Sequence, residues 1–130
     1  MKLAFLAPLA LVIGLAGCAG SGGISSSTVN PNYASAALSA FALVQSTATA
    51  YLNLPPCTGA STSICRNQSA AAQIIPLIRS ARAAAAQVDT ALHVSNGGPI
   101  DVTPYNTLNG LVTLLQSVYA NYSISSPKGN

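Results

Sequence analysis

Apolar residues recur every three or four positions in three stretches of the chain, and each stretch predicts an amphipathic helix. The first runs from about Asn32 to Leu52, with Leu38, Phe41, Val44 or Gln45, Ala48 and Tyr51 or Leu52 on one side and mostly Ala, Ser and Thr elsewhere. Asn30 or Asn32 can cap its free N–H groups, and Pro31 suits the first turn if Asn30 is the cap. Leu54-Pro55-Pro56 ends it, because proline lacks the ladder N–H and restricts the residue before it. The second stretch runs from Ser69, the expected cap, to about Val94. Ile74 or Ile75, Ile78, Ala81 or Arg82, Ala85, Val88 and Leu92 mark its buried side. Pro76 falls inside it and is expected to kink the helix or split off its first turns. The run Ala83 to Ala86 has high helix propensity and no bulk, so a neighbouring helix can come close there.

Asn96-Gly97-Gly98-Pro99 is a stop and turn signal. The third stretch opens at Thr103-Pro104, read as a cap followed by a first-turn proline. Leu108, Leu111, Val112, Leu115, Val118, Tyr119 and Tyr122 follow at helical spacing. Gly110 costs about 1 kcal/mol relative to alanine, tolerable where a neighbour needs the room. Residues 123–130, with Pro127 and Gly129, read as a flexible tail. The expected fold class is all-α: an up-down-up three-helix bundle over residues 32–122. Its large side chains are few and alanine buries little area, so self-association or a partner helix would complete it.

A different pattern fills the N-terminus. Leu3 to Gly17 is uncharged, sits behind Lys2 and contains Pro8 and Gly14. It is short of the roughly 20 residues that cross a bilayer. A basic start, an apolar middle and small residues at the end give an export signal. The small residues form Leu15-Ala16-Gly17-Cys18, and here the chain resembles the bacterial lipoprotein family, whose lipobox commonly has this form. The resemblance covers residues 1–18 and implies cleavage after Gly17, a signal peptide of residues 1–17, and diacylglycerol on the Cys18 sulfur. Acyl chains contribute about 0.8 kcal/mol per buried methylene, so together they hold without a basic patch. Ala19 is not the aspartate associated with inner-membrane retention in enteric-type lipoproteins. By that analogy the expected location is the outer membrane, periplasmic face, with the outer face of the inner membrane as the alternative.

Residues 18–31 are rich in Gly and Ser and read as a lipidated, flexible tether. What remains suffices for one domain and not for two. Export also changes the reading of the cysteines. With Cys18 taken by lipid, Cys57 and Cys65 are left as a single pair in an oxidising compartment, and a disulfide between them would clasp the connector of the first two helices.

Charge narrows the function. Charged residues are 5% of the chain, against about 25% in ordinary soluble domains. The basic balance comes from scarcity of acid: Lys2, Arg66, Arg79, Arg82 and Lys128 face only Asp89 and Asp101. A nucleic-acid binder needs a clustered basic face, and Arg79 with Arg82 is too small a cluster, so no nucleic-acid partner is expected. The two arginines, one turn apart, are a candidate contact for anionic headgroups or other anionic envelope material, or else they solvate an otherwise uncharged helix.

Catalytic constellations are sparse. Asp89 and His93 share a helix face and would need a nearby serine to form a hydrolytic triad. The chain has no Gly-x-Ser-x-Gly elbow and no second histidine. The simpler role for His93 is to meet carbonyl groups at the end of its helix, with Asp89 beside it. Zinc needs three or four protein ligands, so neither a metal nor another cofactor is expected. Asp89 and Asp101 read as solubilising or capping groups rather than an acid/base pair. The tyrosines at 33, 51, 105, 119 and 122 lie near helix ends and suit packing there.

A second, looser resemblance covers roughly residues 33–92. An alanine-rich helix leading through Tyr51-Leu-Asn-Leu-Pro-Pro-Cys57, a Ser/Thr loop to Cys65 and another alanine-rich helix is similar to small helical lipoproteins of phages and prophages. The expected function is therefore a lipid-anchored, non-enzymatic binding or structural role in the cell envelope. The alternatives are a phage or prophage accessory role at the host envelope, in infection or lysis, and a hydrolase using His93.

Overall fold

A computed structural model describes residues 27–59 and 64–124. The signal peptide expected at 1–17, the lipidation site Cys18, most of the tether and the last part of the tail lie outside the described residues. The elements in chain order are strand β1 (Thr28–Val29), helix α1 (Pro31–Leu52), helix α2 (Gln68–Val94), strand β2 (Ile100–Asp101) and helix α3 (Val102–Asn121). The described chain is thus mostly helical, with three helices and one two-stranded sheet.

Each helix starts earlier than its periodicity alone predicts, because a side chain upstream takes up the first free N–H groups. Asn30 caps α1 by accepting from the Asn32 N–H at 2.9 Å, and Pro31 is the first helical residue. Asn67, not Ser69, caps α2, its carboxamide oxygen accepting from the N–H groups of Ser69 at 2.8 Å and Ala70 at 3.2 Å. Asp101, not Thr103, caps α3, its carboxylate accepting from the Thr103 N–H at 2.6 Å. Asparagine and aspartate have the short acceptor this geometry requires. Pro104 consequently lies further into the first turn, where a missing N–H still costs nothing. Pro76 does not divide α2, which runs unbroken. Ala72 and Pro76 both lie on the exposed side, so water can serve the carbonyl that the proline ring leaves without a donor.

The core sits between the three helices, every pair of which is in contact, α2 with α3 most extensively. α1 contributes Ala34, Ala37, Phe41, Val44, Ala48 and Tyr51, α2 contributes Ala70, Ile74, Ile78, Ala81, Ala84, Ala85 and Val88, and α3 contributes Leu108, Val112, Leu115, Val118 and Tyr119. Where the periodicity left neighbours open, Ile74 is buried and Ile75 exposed, and Ala81 is buried beneath an exposed Arg82. Small residues alternate with large ones, so bulk from Phe41 and the leucines fills what alanine leaves.

The helices are as the all-α expectation had them, and a small two-stranded sheet is added. β1 and β2 pair antiparallel, Thr28 opposite Asp101 and Val29 opposite Ile100, and the Val102 N–H donates to the Ser27 carbonyl at 3.1 Å. Val29 and Ile100 are buried in the main core. Burial of two β-branched side chains offsets the entropy of ordering this end of the Gly/Ser stretch. The expected tether therefore gives up its last residues to the fold. The turn before β2 holds Asn96 at φ 48° and Gly97 at φ 86°, and the Gly98 N–H donates to Ser95 at 2.9 Å. At the other terminus the Ile124 N–H donates to the Tyr119 carbonyl at 2.8 Å, and Ile124 packs on the core. Residues 123 and 124 are thus tied down where fraying was expected.

Candidate functional site

Among the described residues, several specific polar contacts gather at the junction between α1 and α2. Proline ends α1, and the chain is then held at its crossing by two backbone bonds: Arg66 N–H to the Pro55 carbonyl at 2.8 Å, and Cys57 N–H to the Arg66 carbonyl at 3.1 Å. Together they form a single bridge between Pro56 and Arg66. The Arg66 guanidinium donates to the Leu52 carbonyl, one of the carbonyl groups that the end of α1 leaves without a helical donor. Opposite it, the Tyr51 hydroxyl accepts from the Asn67 N–H at 2.7 Å. One basic residue that the composition left free is thus committed to local structure, and Asn67 serves both α2 and this junction.

Cys57 and Cys65 close the same junction. Their Cα atoms are 4.9 Å apart and their sulfurs lie at disulfide distance, 1.99 Å. Cys57 is exposed, and Ile64 beside Cys65 is 81% exposed. A large apolar side chain is thus open to solvent beside the junction.

Arg79 and Arg82 lie on the exposed side of α2, and neither is ion-paired among the described residues. Their charge is available to an external anion. Asp89 and His93 do meet, His93 Nε2 to Asp89 Oδ2 at 3.7 Å, with their side chains 60% and 80% exposed. At that distance and exposure the pair is a solvent-screened contact of small energetic weight. Asp101 accepts from Thr103, and these hydrogen bonds hold its carboxyl below the usual value. Among the described residues no group of three or more His, Cys, Asp or Glu side chains could hold a metal ion.

The tyrosines divide. Tyr51 and Tyr119 are buried, and the Tyr119 hydroxyl donates to the Val44 carbonyl at 2.7 Å, joining α3 to the middle of α1. Burial pushes its phenol up to about 12. Tyr122 accepts from Gln73 Nε2 at 3.0 Å and joins the ends of α3 and α2. Tyr33 is exposed near the start of α1.

Sequence reasoning missed an open groove along α1, lined by Phe41, Ala42, Gln45, Ser46, Thr49, Ala50 and Asn53. Its signal was present in the spacing of small residues at 39, 42, 46, 49 and 53, which lie on one helical stripe. No helix among the described residues is long and apolar enough to cross a membrane. Comparison with protein-family models, with curated proteins and with solved structures finds no match to this chain.

Proposed function

We propose that the chain is a lipid-anchored cell-envelope protein whose helical domain has a non-enzymatic binding or structural role. The observation that carries this reading is the sequence Leu15-Ala16-Gly17-Cys18 behind Lys2 and an uncharged apolar run. The domain's make-up supports it: a nearly uncharged surface has little colloidal repulsion and suits a tethered protein better than a concentrated solute. The location is the periplasmic face of the outer membrane, and contact is made with another envelope component or a second copy.

Within this proposal the three helices form an up-down-up bundle with a disulfide-clasped first connector. The Tyr51–Asn67 and Gln73–Tyr122 bonds support it, since they bring the start of α2 to the ends of α1 and α3. An oxidising compartment supports the clasp. The test is intact mass of the protein extracted from membranes, with and without an inhibitor of the lipoprotein signal peptidase. A mature chain beginning at acylated Cys18, lost in Cys18→Ala, is expected. Recovery of an unprocessed, unacylated chain would overturn the reading.

A further inference from the structure

The pairing of β1 with β2 fixes where the N-terminal segment leaves the domain. Ser27, Thr28 and Val29 are hydrogen-bonded or paired to Val102, Asp101 and Ile100, at the end of the domain where α1 and α3 begin and α2 finishes. Only residues 19–26 then separate this exit from Cys18. Eight residues of such sequence have a typical end-to-end distance of about 16 Å, and fully stretched they reach about 28 Å.

Around the exit the surface is amphipathic. Tyr33, in the first turn of α1, is 55% exposed, and Val94, the last residue of α2, is 76% exposed. Tyr105, in the first turns of α3, is half-buried. Tyrosine joins an apolar ring to a polar tip and suits the boundary between water and lipid. The charged groups towards this end are the acidic Asp89 and Asp101, with the His93 side chain beside Asp89. The exposed arginines lie back along α2: counting from Val94, Arg82 is about 18 Å and Arg79 about 22 Å away at 1.5 Å per residue.

We infer that this end of the domain rests on the bilayer to which Cys18 is anchored, with Tyr33 and Val94 entering the headgroup region. The inference rests on the lipoprotein reading above. The long axis of α2 then stands away from the membrane. Its occupant is the lipid surface itself, because the short stretch between Cys18 and Ser27 keeps that surface within reach at all times. Two acidic groups and no exposed arginine near the exit fit zwitterionic lipid, so the contact needs no anionic headgroup. Arg79, Arg82 and the Cys57–Cys65 junction are consequently displayed outward.

The chain contains no tryptophan, so single reporters can be introduced cleanly. Acylated protein carrying Tyr33→Trp, Val94→Trp or, as the distal control, Ile75→Trp is reconstituted into phosphatidylcholine vesicles with and without brominated acyl chains. Intact mass establishes acylation and circular dichroism establishes folding of each variant. Reporters at 33 and 94 are expected to shift to the blue and lose most of their emission to bromine, while that at 75 is unaffected. Equal quenching at all three sites, or none at 33 and 94 in acylated protein, overturns the orientation and leaves the anchor standing. Failure of acylation itself overturns the anchor instead.

Discussion

Replacing Tyr119 by phenylalanine removes one hydroxyl from the core and leaves the ring in place. The lost bond runs from the Tyr119 hydroxyl to the Val44 carbonyl at 2.7 Å in a buried setting. A net intramolecular hydrogen bond contributes about 1 kcal/mol, and Val44 keeps the bond that a helical carbonyl receives four residues on. At neutral pH the variant should therefore unfold in urea with stability lower by about 1 kcal/mol. At high pH the order should reverse. The phenol ionises near 10.0 when free and near 12 in the folded chain. Between those values the unfolded chain releases a proton that the native chain retains, so stability falls as pH rises. The full loss is about 3 kcal/mol by the upper value. Phenylalanine has no proton to lose, so its stability curve lacks this descent and crosses that of the parent between pH 10 and 12. Urea titrations across that window measure both curves. Parallel curves would show that the Tyr119 hydroxyl is not held in the desolvated position described, and the argument from burial would fail.

Leu108 is fully buried, so Leu108→Ala should lower stability by about 2 to 5 kcal/mol through lost transfer energy and the cavity left behind. A urea midpoint unchanged from the parent would contradict its place in the core. Asp101→Ala removes the cap of α3. Because hydrogen bonds from Thr103 hold the folded carboxyl below the ordinary aspartate value, the parent gains stability above that ordinary value and loses it as pH falls through the lowered one. The variant should lack this part of the acid dependence, as read by thermal melts from pH 2 to 6. Replacing Cys57 and Cys65 together by serine should cost about 2.5 kcal/mol, the entropy returned to the unfolded chain by opening a loop of this size. The far-ultraviolet circular dichroism of the folded variant should be unchanged, because the Arg66 and Tyr51 bonds still hold the crossing.

The helices were legible because their apolar residues repeat at 3.6-residue spacing over many turns, from Leu38 to Tyr51 or Leu108 to Tyr119. Their starts were less so. Ser69 and Thr103 are chemically able to cap, but Asn67 and Asp101 lie upstream and take the first N–H groups before them. The sheet left no period to read: two residues per strand cannot alternate. Its only trace was Val29 and Ile100, isolated β-branched residues in polar surroundings, each just ahead of a helix cap. Cys57 and Cys65 lie at bonding distance as their spacing allows, whereas the commitment of Arg66 to the Leu52 carbonyl depends on a crossing angle that no spacing records. Tyrosine positions near helix ends were visible, but which of them turned inward depended on the neighbour each met.

The short strand pair has a mechanical consequence. A pull arriving from the N-terminal side meets β1 before it meets any helix, so the bonds from Ser27 to Val29 act as a cleat that shields α1 from tension. Once they part, the freed residues pay out about 10 Å of slack, and Val29 leaves its place in the core before tension reaches α1. On release, Val29 can drop back opposite Ile100, its partner in the strand pair.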